Sequence, residues 1–180
     1  MNNKISKIGM LSALALSCTL TMGARDIVQR TAHYMPEGNA FVCVNGNNRY
    51  TRALYGSTAE WRVETSDRPV FATYKKNQTG NIRFRISDGR QTMWLDEAEY
   101  CKASYEAGRR DYLLKDRRWG KGELDISVLA FPDTEGAVWR FTVRGFDNRK
   151  LKVEAVLSQT AVPKPVRSGD IGSFLKPGTF

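Results

Sequence analysis

The stretch ELDISVLAFPDTEGAVWRFTVRGFDNRKLKVEAVL, residues 123–157, decides the fold. Leu124, Ile126, Val128 and Ala130 occupy every second position, with Asp125 and Ser127 between them. After the turn residues Pro132, Asp133 and Gly136, Ala137, Trp139, Phe141 and Val143 alternate with Arg140, Thr142 and Arg144. Asp147-Asn148 marks a second turn, and Leu151, Val153, Ala155 and Leu157 then alternate with Lys152 and Glu154. Successive side chains of a strand point to opposite faces. Each run therefore buries one face and wets the other, as antiparallel strands with one solvated face do.

The same reading extends toward the N-terminus. AFVCV, residues 40–44, is rich in strand formers and precedes Asn45-Gly46, a tight-turn signal. Trp61 and Val63 alternate with Arg62 and Glu64. Pro69 limits the strand at residues 70–74. Thr79-Gly80-Asn81 reads as a turn, Ile82, Phe84 and Ile86 then alternate with Arg83 and Arg85, and residues 87–89 turn again. Cys101, Ala103 and Tyr105 form one face of a further strand, and Ala107-Gly108 turns into another through Tyr112 and Leu114. Turn signals recur about every ten residues with no amphipathic helix between them, which predicts an all-β antiparallel sandwich, with a β-barrel as the alternative.

Both ends of the chain read differently. Lys4 and Lys7 precede IGMLSALALS, residues 8–17, an uncharged run too short to span a bilayer. A basic start and a short apolar run predict a signal peptide over residues 1–24, and therefore export to the periplasm, the outer membrane or the extracellular space. Cys18, after Ala15, Leu16 and Ser17, leaves a lipoprotein signal as an alternative. The sandwich is assigned to residues 25–157. Residues 158–180, with Pro163, Pro165, Gly169, Gly172, Pro177 and Gly178, read as a tail or linker.

The chain carries 28 basic and 19 acidic residues and stays basic without Lys4 and Lys7. Its Arg residues are spread along strands, so a solvated surface accounts for them better than a nucleic-acid site, and export argues against nucleic acid as well. The single His33 supplies neither a triad nor a metal site, and neither metal nor cofactor is expected. Cys43 and Cys101 are candidates for a disulfide in an oxidising compartment; two buried thiols are the alternative. Asp96, Glu97 and Glu99 lie too close in sequence to face one another across a substrate, and read as a solvated strand end. RRDYLLKDRRWGK, residues 109–121, interleaves cations with Tyr112 and Trp119 and could hold an anionic glycan; a charged hairpin is the plainer reading. Trp119 precedes Gly120 in a charged turn, so it is expected at the surface with a partner.

NGNNRYTRALYG, residues 45–56, followed by WRVETSDRPVFATY, residues 61–74, resembles the N-terminal domain of large secreted Bacteroidetes proteins related to glycoside hydrolases. GNIRFRI, WLDEA and GKGELDISVLA extend the likeness to about residues 41–156. In those proteins a β-sandwich of unknown function precedes a six-hairpin (α/α) barrel. The chain departs from the pattern at residues 75–78, where a Gly-rich loop is usual, and at Phe180, where the barrel would follow. The resemblance implies a non-catalytic accessory sandwich, a fragment without its catalytic barrel, with carbohydrate and the barrel as partners. It points to Arg49, Arg52 and Tyr55 as carbohydrate-binding residues, with Trp119 beside them, and the basic hairpin adds Arg118. A free-standing exported module for acidic glycans or a surface partner is the alternative.

Overall fold

The computed structural model describes residues 34–48, 50–56, 61–75, 78–146 and 150–158. In chain order the strands are β1 (Met35–Glu37), β2 (Ala40–Val44), β3 (Tyr50–Tyr55), β4 (Trp61–Ser66), β5 (Val70–Lys75) and β6 (Gln78–Ser87). They continue as β7 (Thr92–Trp94), β8 (Tyr100–Glu106), β9 (Arg109–Lys115), β10 (Glu123–Ala130), β11 (Ala137–Arg144) and β12 (Lys152–Ser158). Two 3₁₀ turns, Leu95–Glu97 and Arg117–Trp119, are the helical elements among the described residues.

One sheet has the order β1-β2-β8-β9-β10-β11, the other β12-β6-β5-β4-β3, with β7 also against β6. Neither sheet closes on itself, so the architecture is an all-β antiparallel sandwich and not a barrel. The strands lie within the single unit Ala32–Phe180. Alternation fixes which residues meet between the sheets. Tyr112, Leu114, Leu124, Ile126 and Val128 from the first sheet are buried with Leu54, Val63, Phe71, Ile82 and Phe84 from the second. The Phe71 ring meets those of Phe84, Tyr112 and Trp139 edge-on, at centroid distances of 5.8, 5.8 and 5.6 Å. Such a geometry opposes the positive ring edge to the negative ring face.

Several expectations are corrected. Thr79, Gly80 and Asn81 do not turn; they lie inside β6, with Gly80 opposite Thr73. A Cβ on Gly80 would make a tight contact with the Thr73 hydroxyl, at 3.2 Å. β4 is buried along its whole length, on both faces. Arg62 and Glu64 are accordingly an inaccessible ion pair, 2.9 Å apart, with the guanidinium 3.9 Å from the Tyr74 ring centroid. Asp96 is not a solvated strand end: it is buried and held by two hydrogen bonds from Arg83, of 2.7 and 3.0 Å.

The Cys43–Cys101 disulfide is not formed; both thiols are free and buried. The register sets Cys43 opposite Ala103, which leaves Cys101 on the diagonal. Diagonal neighbours sit roughly 7–8 Å apart, beyond the usual Cα spacing of a bridged pair. The Cys101 thiol instead lies 3.8 Å from the Asp67 carbonyl.

Residues 1–24, Cys18, His33, Arg49, the Asp147-Asn148 turn and residues 159–180 lie outside the described residues. No helix among the described residues is long and apolar enough to cross a membrane.

Candidate functional site

The Asn-rich motif after β2 builds a polar hub. Asn45 and Asn48 take left-handed backbone conformations, φ 51° and 56°, which Asn tolerates better than most residues. Asn45 is tied to Cys101 twice: its backbone N–H donates to the carbonyl at 2.8 Å, and its Oδ1 accepts from the N–H at 2.9 Å. The Asn47 N–H donates to Asp67 (3.0 Å), and the Ser66 hydroxyl to Asn48 Oδ1 (2.8 Å). Arg68 reaches across to the carbonyls of Gly46, Asp96 and Ala98, at 3.0, 2.9 and 2.8 Å. A Cβ on Gly46 would stand 2.4 Å from Asp67 Cγ, so the loop closes over Asp67 only because residue 46 is glycine.

Beside this hub the interior holds an arginine–tyrosine cluster. Arg110, fully buried, donates through Nη2 to the Tyr34 hydroxyl (2.6 Å) and the Ser66 carbonyl (2.9 Å). Tyr112 donates to the same carbonyl at 2.7 Å. The Arg110 guanidinium lies 5.3 and 5.2 Å from the Tyr34 and Tyr112 ring centroids. Its Nε and Nη1 have no hydrogen-bond partner. The ring faces and the two hydrogen bonds offset part of the cost of burying this cation.

Among the described residues, those singled out from the sequence stand in two separate places. Arg52 lies 5.4 and 5.3 Å from the ring centroids of Tyr34 and Tyr105, and donates to the Thr51 carbonyl at 2.7 Å. Tyr55 is half exposed at the end of β3. Arg118 binds the Asp116 carboxylate through Nε (2.6 Å) and Nη2 (2.8 Å). Trp119 is the clearest correction: only 3% of it is exposed, and its ring packs 5.6 Å from that of Phe146. The 3₁₀ turn rotates it inward, so it is not a surface platform.

Asp116, which sequence reasoning missed, organises this turn. Its carboxylate accepts from the backbone N–H groups of Arg118 (3.0 Å) and Glu99 (3.2 Å) as well as the Arg118 side chain. The Arg118 hydrogen bonds, with help from these backbone donors, hold its pKa down to about 2. An Asp three residues before the apolar Trp119, with Arg117 and Arg118 between, is the N-cap signal that could have found it.

The basic run 109–121 is likewise dispersed. Arg110 points inward, while Arg109 pairs with Asp111, Lys115 with Glu123 and Arg117 with Glu99. It therefore presents no continuous basic surface.

A concavity lined largely by polar residues lies elsewhere, on the solvent face of the first sheet. A hollow of about 450 Å³ crosses β8, β9, β10 and β11. Two adjacent cross-strand rows floor it: Ser104–Asp111–Ser127–Arg140, and Lys102–Leu113–Asp125–Thr142. Most of these side chains are short, and longer cations rise around them. The Ser127 hydroxyl donates to Asp111 at 2.6 Å, and Asp125 is ion-paired with Arg144. No sequence signal marked this hollow, since each row draws single residues from four strands.

Nucleophilic chemistry finds no support among the described residues. Burial pushes the Cys101 thiol up to about 12 and raises that of Cys43, so both stay protonated near neutrality. No group of His, Cys, Asp and Glu that could hold a metal ion occurs among the described residues.

The fold and surface thus define a two-sheet β domain with a polar concave face. Residues 77–177 match a family described as a domain of unknown function (DUF4450), and the chain belongs to that family. No curated protein and no solved structure matches it.

Proposed function

We propose that the protein is a non-catalytic accessory β-sandwich of an exported, glycoside-hydrolase-like protein, and that it works by packing against an (α/α) barrel that follows it in sequence. One observation carries this reading. At the edge strands β11 and β12, side chains that face the interior remain exposed. In register, Val143 stands opposite Leu124, and Leu157 opposite Ile82, both core residues; yet Val143 is 45% and Leu157 71% exposed. An inward-facing Leu left in water forgoes about 1.5–3 kcal/mol of burial. A second body laid along these edges recovers that energy, and a domain following β12 in sequence begins beside them. The resemblance in the Asn-rich segment supplies the barrel as that body, and the basic start with its short apolar run supplies the export.

The test is oxidative footprinting of Phe141, Val143 and Leu157 in the chain alone, and then in a polypeptide in which an (α/α) barrel domain follows residue 180. Protection of these residues in the longer protein is the expected result; unchanged labelling overturns the packing role. The isolated chain is also expected to release no sugar from chromogenic glycosides, and turnover by the pure protein refutes the non-catalytic assignment.

A further inference from the structure

The hollow on the first sheet leaves specific groups unsatisfied. Lys102 is paired with Glu37, and Arg144 with Glu123 and Asp125. Arg140, which completes the row Ser104–Asp111–Ser127, has no carboxylate partner among the described residues, although it stands among paired cations. The hydroxyls of Ser104 and Thr142 make no hydrogen bond among the described residues either. Asp111 and Asp125 each engage a cation and keep lone pairs for further donors, since a carboxylate offers about four acceptor sites. Leu113, between Lys102 and Asp125 in its row, provides the apolar part of the floor.

A ligand that satisfies this set needs one anionic group for Arg140, several hydroxyls that both donate and accept, and a small C–H face for Leu113. Adjacent rows on a strand face lie roughly 7 Å apart, and four strands span roughly 14 Å. The hollow thus suits one or two sugar rings. A guanidinium grips a planar carboxylate through two parallel hydrogen bonds. A neutral sugar leaves Arg140 uncompensated. A nucleic-acid backbone would bring its phosphates against Asp111 and Asp125 with no exposed aromatic ring among the described lining residues to stack a base, Tyr112 being buried.

We propose that this hollow is a binding site for a uronic-acid residue of a glycan, with Arg140 taking the carboxylate and Ser104, Thr142, Asp111 and Asp125 taking ring hydroxyls. The hollow shares β11 with the packing surface but uses the opposite face of that strand, Arg140 and Thr142 rather than Phe141 and Val143, so either reading can fail without the other.

The experiment is calorimetric titration of the full chain with galacturonate, glucuronate and mannuronate oligomers, their neutral counterparts and a sulfated galactan. Arg140→Ala, Arg140→Lys and Arg90→Ala are compared with the parent. Arg90 is an exposed cation in the turn before β7, so its loss removes the same charge away from the hollow. Thermal melts of Arg140→Ala should match the parent, because the side chain is exposed. The expected result is binding of at least one uronate oligomer and no neutral one, weakened about tenfold or more by Arg140→Ala, partly by Arg140→Lys, and not by Arg90→Ala. Four outcomes overturn the site: binding to none of the three uronates, equal binding to neutral oligomers, binding to the sulfated glycan alone, or equal losses in the Arg140 and Arg90 variants.

Discussion

Trp119→Ala separates a core side chain from a ligand platform. Trp119 is nearly inaccessible, packs on Phe146, and borders Ile86, Met93 and Leu151. The void beside it is only about 10 Å³, so the indole fills its site almost completely. Large-to-small changes of this kind cost about 3–5 kcal/mol in transfer and cavity terms. The lower end applies, because the site lies at the end of the sandwich, where a 3₁₀ turn can partly collapse. A loss of about 3 kcal/mol corresponds to a fall in Tm of roughly 10 °C for a domain of this size. Urea titration followed by far-UV circular dichroism measures it, and Trp119→Phe should recover part of the loss because a ring remains against Phe146. A loss under about 1 kcal/mol, within the range of exposed-site changes, would refute the reasoning. The indole would then be at the surface, and the reading of Trp119 as a ligand contact would stand again.

Three further outcomes follow from the geometry. The carboxylate of Asp116 titrates near 2 in the folded state and near 3.9 unfolded, so its contribution is fully present above pH 4 and is lost as the pH falls toward 2. Asp116→Asn should remove about 2 kcal/mol at pH 7 and flatten stability between pH 4 and 2; an unchanged acid limb would contradict this. Gly46→Ala should cost about 1–3 kcal/mol by driving a methyl into Asp67, measurable by thermal denaturation. Tyr112→Phe should cost only about 1 kcal/mol, because the Ser66 carbonyl keeps the Arg110 donor; a much larger loss would mean that Arg110 depends on the tyrosine hydroxyl.

Much of the sandwich was legible in residues 123–144, because a period of two reports which face each residue takes. The same parity places Arg110 with Tyr112 and Leu114 on the inner face of β9, so the buried arginine was present in the pattern and obscured by its charge. Period says nothing about where a strand sits in its sheet. Strand order arises from pairing between distant segments, and so the edge positions of β11 and β12, with the exposure of Leu157, were not readable locally. Trp119 was misplaced for a related reason: it belongs to a 3₁₀ turn, where alternation no longer gives direction. The hollow was hidden because each row takes one residue from each of four successive strands, and alternation within a strand does not say which residue of the next strand stands in register with it, as Ser127 does with Asp111 and Arg140.

The Ser66 carbonyl, which accepts from both Arg110 and Tyr112, joins the end of one sheet to the middle of the other. β3, which carries Arg52 against Tyr105, is the edge of its sheet opposite β12. The domain is therefore built like a bound book, stitched along a spine of arginine, tyrosine and one shared oxygen, with Val143 and Leu157 left open along the fore-edge. Thermal breathing should start at the loose side, where β12 exchanges its amide hydrogens soonest. A partner that closes the fore-edge then gains leverage over the whole volume while leaving the stitching untouched.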